Sequence, residues 1–140
     1  MMSKRETVLT ALAALLGSSA AEVLRNVGLP ARVPAAGLLI LHDGVPGEPD
    51  VTLSPPLWHY QHRAEMDVFI EAKDGRDAKF DALLVEVGSL IAADRTLGGL
   101  CDWVEAEAPE PSELALEGAT GLKAAAVAVV LHYSTTDPLN

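Results

Sequence analysis

The sequence predicts an α+β fold: a two-layer sandwich with two helices on one face of a mostly antiparallel sheet. Three observations carry that prediction. From Asp74 to Asp94, the residues Phe80, Leu83, Leu84, Val87, Leu90 and Ile91 recur at helical spacing and form one apolar stripe, the candidate core. From Trp58 to Lys73, and again from Leu122 to Thr135, apolar residues recur every second position, the period of a strand with one buried face. The chain has 140 residues, the size of one domain, and nothing in its composition marks a linker, so residues 1–140 are read as one unit.

Taken in order, Ser3 and Glu6 make the S-x-x-E signature of a helix start. Val8, Leu9, Leu12, Leu15 and Leu16 follow as an apolar stripe, and Gly17 is a stop. The same stretch has a second reading. Lys4-Arg5, the apolar run 8–16 and the small residues 18–21 imitate a secretory signal, and a secreted domain would follow. The capping pattern favours the helix.

Residues 21–27 read as a short strand with mixed faces. Pro30, Pro34 and Gly37 punctuate a loop, since proline cannot donate to a ladder. Leu38–His42 is a compact apolar strand closed by Asp43-Gly44, and 51–53 is a brief one before Pro55-Pro56. In the long strand from Trp58, the side chains of Tyr60, His62, Ala64, Met66, Val68 and Ile70 share one face. Arg63, Glu65, Asp67 and Glu71 share the other, with Phe69 its single large apolar exception. Sixteen extended residues span roughly 50 Å, against a diameter near 37 Å for a compact domain of this length. Such a strand must bend or project, and a projecting strand needs a neighbour for its backbone. The length, with the sustained charge alternation, points to an oligomer that Arg63, Glu65, Asp67 and Glu71 contact.

Asp74 or Asp77 can cap the central helix, with Asp77, Lys79, Asp81, Glu86 and Ser89 on its polar side and Gly98-Gly99 past its end. After it, 103–108 alternates as a strand, 109–112 turns the chain, 113–117 pairs briefly and 118–121 turns again. The predicted order is α-β-β-β-α-β-β.

Composition bounds the function. Twenty acidic residues against ten basic ones give a net charge of −10, which disfavours gripping nucleic acid or an anionic membrane. Aromatic residues are only 4%, so the core must be built from Ala, Val and Leu. Cys101 is the single cysteine, which allows no internal disulfide. No apolar run reaches the roughly 18 residues that span a bilayer, so no membrane partner is expected.

No catalytic constellation stands out, and neither enzyme activity, a cofactor nor a metal is expected. His59 and His62 are three apart, which on a strand places them on opposite faces and suits chelation poorly. Cys101 beside Asp102 could act as a nucleophile only with a base from elsewhere, such as His132. Gly118–Lys123 is too short and wrongly ordered for a phosphate-binding loop. Asp102, Glu105, Glu107, Glu110, Glu113 and Glu117 form an acidic run with no base between them. Its bland reading is a solvated face.

Function enters through a resemblance. Asp94-Arg95-Thr96-Leu97-Gly98-Gly99-Leu100, followed by Asp102, is similar to the turn after the second helix in tail-terminator and tail-completion proteins of long-tailed bacteriophages, prophages and gene transfer agents. Arg25-Asn26 with Pro30, Leu38–Leu41 leading to His42-Asp43-Gly44, Tyr60-x-His62-x-Ala64, Lys123–Ala126 and Tyr133–Thr135 agree as well. The acidic hairpin after Trp103 is shorter than the family's. The resemblance implies a structural virion protein that forms a ring of six copies at the head-proximal end of the tail. Such a ring caps the tail tube, stops its polymerisation and offers the joining surface for a head connector or stopper. DNA passes through as cargo. On that reading Glu105, Glu107 and Glu110 are expected to line or border the lumen. The alternative is a small-molecule-binding or transferase-like enzyme that uses the apolar sheet face.

Overall fold

The structure is a computed structural model that describes residues 2–112 and 121–140. It is the expected α+β sandwich. Helix α1 (Lys4–Leu16) is followed by strands β1 (Glu22–Arg25), β2 (Leu38–Val45), β3 (Asp50–Thr52) and β4 (Leu57–Glu71). Helix α2 (Arg76–Ala93) then leads into β5 (Trp103–Ala106), β6 (Glu110–Pro111) and β7 (Leu122–Thr135). The strands form one sheet in the order β1-β2-β4-β7-β5, with β3 on β4 and β6 on β7. Among the described residues only β1 and β2 run parallel; the other pairs are antiparallel. The predicted order holds; β3 is the brief strand expected at 51–53, and β6 is a brief addition. β6 falls inside the 109–112 stretch expected to turn, while the expected strand at 113–117 and most of the turn at 118–121 lie outside the described residues.

Local chemistry accounts for the helix ends. Ser3 Oγ accepts the Glu6 N–H at 3.1 Å, as the capping pattern requires. The Glu6 carboxylate does not return to Ser3. It takes two N–H bonds from Arg25 instead, at 2.7 and 2.8 Å, tying the first turn of α1 to β1. Helix α2 departs from expectation at its start: Gly75 is the N-cap, at φ 66°, with no side-chain cap. Asp74 therefore lies before the helix, and Asp77 sits in its first turn, paired with Lys123 at 3.1 Å.

The core lies between the helices and one sheet face. Phe80, Leu83, Val87 and Ile91 of α2 are buried against Leu39, Leu41, Met66, Val68, Val127, Val129 and Leu131, together with Val8, Leu9, Leu12 and Leu16 of α1. Leu84 is half-buried and packs on this cluster, and Leu90 is only half-buried at the helix flank, so the stripe is narrower than its spacing implied. Glu86, assigned to the solvent side, is also half-buried. Its carboxylate accepts the Ala20 N–H at 2.9 Å and fastens the loop after α1.

Strand β4 alternates as expected, buried at Tyr60, His62, Ala64, Met66, Val68 and Ile70. Phe69 is no misfit. On the opposite face it joins Leu38, Ile40 and Ala124 in a small second cluster, over which Leu29 and Val33 fold. The length of β4 is resolved within the chain. Strand β7 pairs with it from Trp58↔Thr135 to Glu71↔Leu122, and β3 and β2 cover stretches of its other edge. Its backbone is served internally, so length alone does not call for a neighbouring subunit.

Candidate functional site

With the helices on one face, the other face of the sheet is where the sequence-predicted site residues meet. The register places Arg63 opposite Val130, Glu65 opposite Ala128 and Asp67 opposite Ala126, all on this outer face. Glu105 also stands opposite Val130, from β5. Small side chains on β7 thus form a floor, and charged side chains from β4 and the β5–β6 edge stand around it. A shallow groove is lined by Arg63, Glu65, Glu107, Ala108, Glu110, Ala126 and Ala128.

Arg63 grips Glu107 through both guanidinium nitrogens, one of them at 2.7 Å. This pair joins a residue expected at a subunit interface to one expected at a lumen, so the two groups occupy one continuous face. It also means that Glu107 is compensated, which no reading of the acidic run by itself could reveal. The Arg63 bonds hold the Glu107 carboxyl below the usual carboxylate range. His132 lies 3.4 Å from Glu105, and His42 lies 2.9 Å from Asp67. Glu71 sits at the far end of β4, exposed, opposite Leu122. Glu113 and Glu117 lie outside the described residues.

The 102–112 segment builds one rim. Asp102 donates to the His132 carbonyl, Glu107 to that of Ala128 and Ser112 to that of Ala124, so the segment follows β7 closely. Pro109 and Pro111 carry no N–H, which blunts this edge against further strand addition. Trp103, 46% exposed, stands on the rim with the Arg95 guanidinium 5.0 Å from its ring centroid.

The motif behind the resemblance is the turn that delivers the chain to this rim. The Asp94 carboxylate accepts the Gly98 N–H at 2.9 Å, and Thr96 Oγ1 accepts that of Gly99 at 3.1 Å. Leu97, Gly98 and Gly99 all have positive φ, which two glycines make tolerable, while the Leu97 side chain plugs into the core. Arg95 donates to the Val104 carbonyl at 2.9 Å. Each residue from Asp94 to Gly99 thus has a structural task.

The histidines all have local partners: beyond His42 and His132, His59 meets Thr52 and His62 meets Tyr133 and the Asp43 carbonyl. Cys101 is buried in the helix-side cluster, with its thiol pushed up to about 11 by burial and by Asp102. His132, by contrast, belongs to the outer face with Glu105. The structure does not bring this candidate nucleophile and base together. Among the described residues no helix is long and apolar enough to cross a membrane. Comparison with protein-family models and with curated proteins finds no match to this chain.

Proposed function

We propose that this chain is the subunit of a ring, six copies by resemblance, that caps a phage-like tail tube, ends its polymerisation and joins it to the head. The observation that carries the reading is the 94–102 turn. Its residues carry the resemblance, and in this fold they lead from the second helix straight to the rim of the open sheet face. An α+β sandwich with one face closed by helices and the other charged and open is consistent with a subunit that works by contact. The enzyme alternative draws less support, because the apolar face it would use is packed by α1 and α2.

The outer face is proposed to meet two environments. Arg63, Glu65, Asp67 and Glu71 turn toward a neighbouring subunit, and the rim carboxylates of Glu105, Glu107 and Glu110 border the channel, where the charge of Glu105 and Glu110, left over once Arg63 has compensated Glu107, keeps DNA from adhering. Arg63→Glu is the informative variant. It removes the Glu107 pair and leaves the helix-side core untouched. Sedimentation, with negative-stain images of mixtures with phage tails, should show a folded subunit that no longer assembles or caps tubes. Assembly equal to that of the parent would remove the outer face from the interface. Replacing Glu105, Glu107 and Glu110 by lysine in assembled particles should slow DNA ejection, and added salt should relieve the defect. Normal ejection would place the rim outside the channel.

A further inference from the structure

The buried polar cluster around His62 lies at the opposite side of the sheet from the proposed interaction face and has no part in it. His62 is 1% exposed. The Asp43 carbonyl can only accept, so it takes the hydrogen of Nε2, and Nδ1 is left to accept from the Tyr133 hydroxyl at 2.7 Å. Both ring nitrogens are therefore satisfied in the neutral form. We propose that protonation of His62 releases the segment 136–140 from the body of the domain, with Arg5 as the link between them.

The link runs through a cavity that Arg5 and Pro138 share with Tyr133, the partner of His62. Arg5, in the first turn of α1, donates to the Pro138 carbonyl at 3.5 Å, the one hydrogen bond between this segment and α1 among the described residues. Pro138 and Asn140, together with Arg5, Pro46, Tyr60, Tyr133 and Thr135, surround a small cavity beside the cluster. The segment is otherwise loosely held. Its internal bonds run from Leu139 and Asn140 to Asp137, and residues 136–140 are all exposed.

A proton on Nδ1 makes two local demands. It obliges the Tyr133 hydroxyl to accept rather than donate, and it places a cation in a buried site. The groups facing that cation are Tyr133 from β7, Asp43 from β2 and Arg5 from α1, with Tyr60 of β4 against the Tyr133 ring. Arg25 of β1 and Glu6 of α1 stand behind Asp43 rather than against the ring. Asp43 favours the cation, but its carboxylate is already bonded to Arg25 at 2.8 Å, and Arg25 is held in turn by Glu6. Burial lowers the His62 pKa most, and the Arg5 charge lowers it further. Of these charged groups Arg5 alone makes no ion pair among the described residues: repelled into water, it takes its bond to Pro138 with it. The rest of α1 stays in place, because Glu6 remains on Arg25 and Val8 and Leu9 are fixed in the core. The opening is therefore confined to the segment.

NMR of the full chain, taken downward from pH 7.5 through the His62 ring titration, tests this, and a ring that stays neutral until the fold is lost overturns it. The heteronuclear NOEs of Leu139 and Asn140 should fall along the same titration curve as the His62 ring resonances, while those of α2 stay constant. His62→Gln preserves a donor toward Asp43 and an acceptor for Tyr133 but cannot titrate, so its segment should stay ordered throughout. Arg5→Gln should show a segment that is loose at every pH. A segment whose order does not change across the His62 titration would overturn the proposal, and so would one that loosens equally in His62→Gln. If that variant does not fold, the parent decides alone: two different midpoints for the ring and the segment reject the link.

Discussion

The two faces of β4 are made by one strand and built on different physics. On the helix side, Ala64, Met66 and Val68 are fully buried, and contact area does the work. On the outer side, Arg63, Glu65 and Asp67 alternate with them, half-exposed or exposed, over a floor of alanines. The helix face should dominate stability, whereas the outer face is free to serve contact with other molecules. Exposed ion pairs contribute little net free energy because water screens them and the side chains lose entropy.

The largest expected effect breaks the helix side. Leu83→Ala, at a side chain 4% exposed, should cost ~2–5 kcal/mol in a denaturant titration. Leu90→Ala, at the half-buried flank, should cost clearly less. Equal costs would mean that α2 is rotated toward Leu90. The next largest effect lies where the pairing of β2 with β4 slips between His42 and Val45. Gly44 sits there at φ 65°, and an added Cβ would meet the Arg63 carbonyl oxygen at an impossible distance. Gly44→Ala should cost at least the ~1–3 kcal/mol of a strained backbone, and should disturb both faces because Arg63 lies on the partner strand. A melting temperature equal to that of the parent would show that the bulge is not needed.

The smallest effect sharpens the comparison through pH. Glu6 is held below the usual carboxylate range by its bonds from Arg25. Burial pushes Asp43 up, but bonds from Arg25 and Asn26 outweigh it and leave it lowered too. A lowered folded-state pKa means that the unfolded chain binds the proton first. The contribution is therefore present above the unfolded pKa, near 4, and is lost as pH falls through the lower folded value. Arg25→Met should flatten the loss of stability below pH 4 in acid titrations followed by circular dichroism. An unchanged acid limb would mean that these pairs stabilise nothing measurable.

Much of this could be read from residue spacing. The limits of β7 fall where its alternation does, and the faces of β4 follow its period of two, because burial on one side of a pleated strand enforces that period. The Ser3–Glu6 start of α1 was legible because a cap acts across three residues. The start of α2 was not: two aspartates offered themselves as caps, but the turn out of β4 requires positive φ at residue 75, and glycine takes the position. The candidate site was legible only as separate pieces. Arg63 and Glu107 are forty-four positions apart, and neither stretch alone indicates a pair.

What the sequence by itself determined is therefore local: which segments form helices and strands, which side of each is apolar, and that the chain is strongly acidic. These follow from periodicity and charge, which depend on near neighbours. What only the tertiary structure decided is the company each residue keeps. It supplied β7 as the full-length partner of β4, removing the need for an outside strand. It turned Glu6 from its own helix cap to Arg25, and it set Phe69 under Leu29 and Val33 rather than in solvent. The reason is register. Once β7 and β4 lock residue against residue, every side chain on either strand acquires neighbours that sequence distance does not encode.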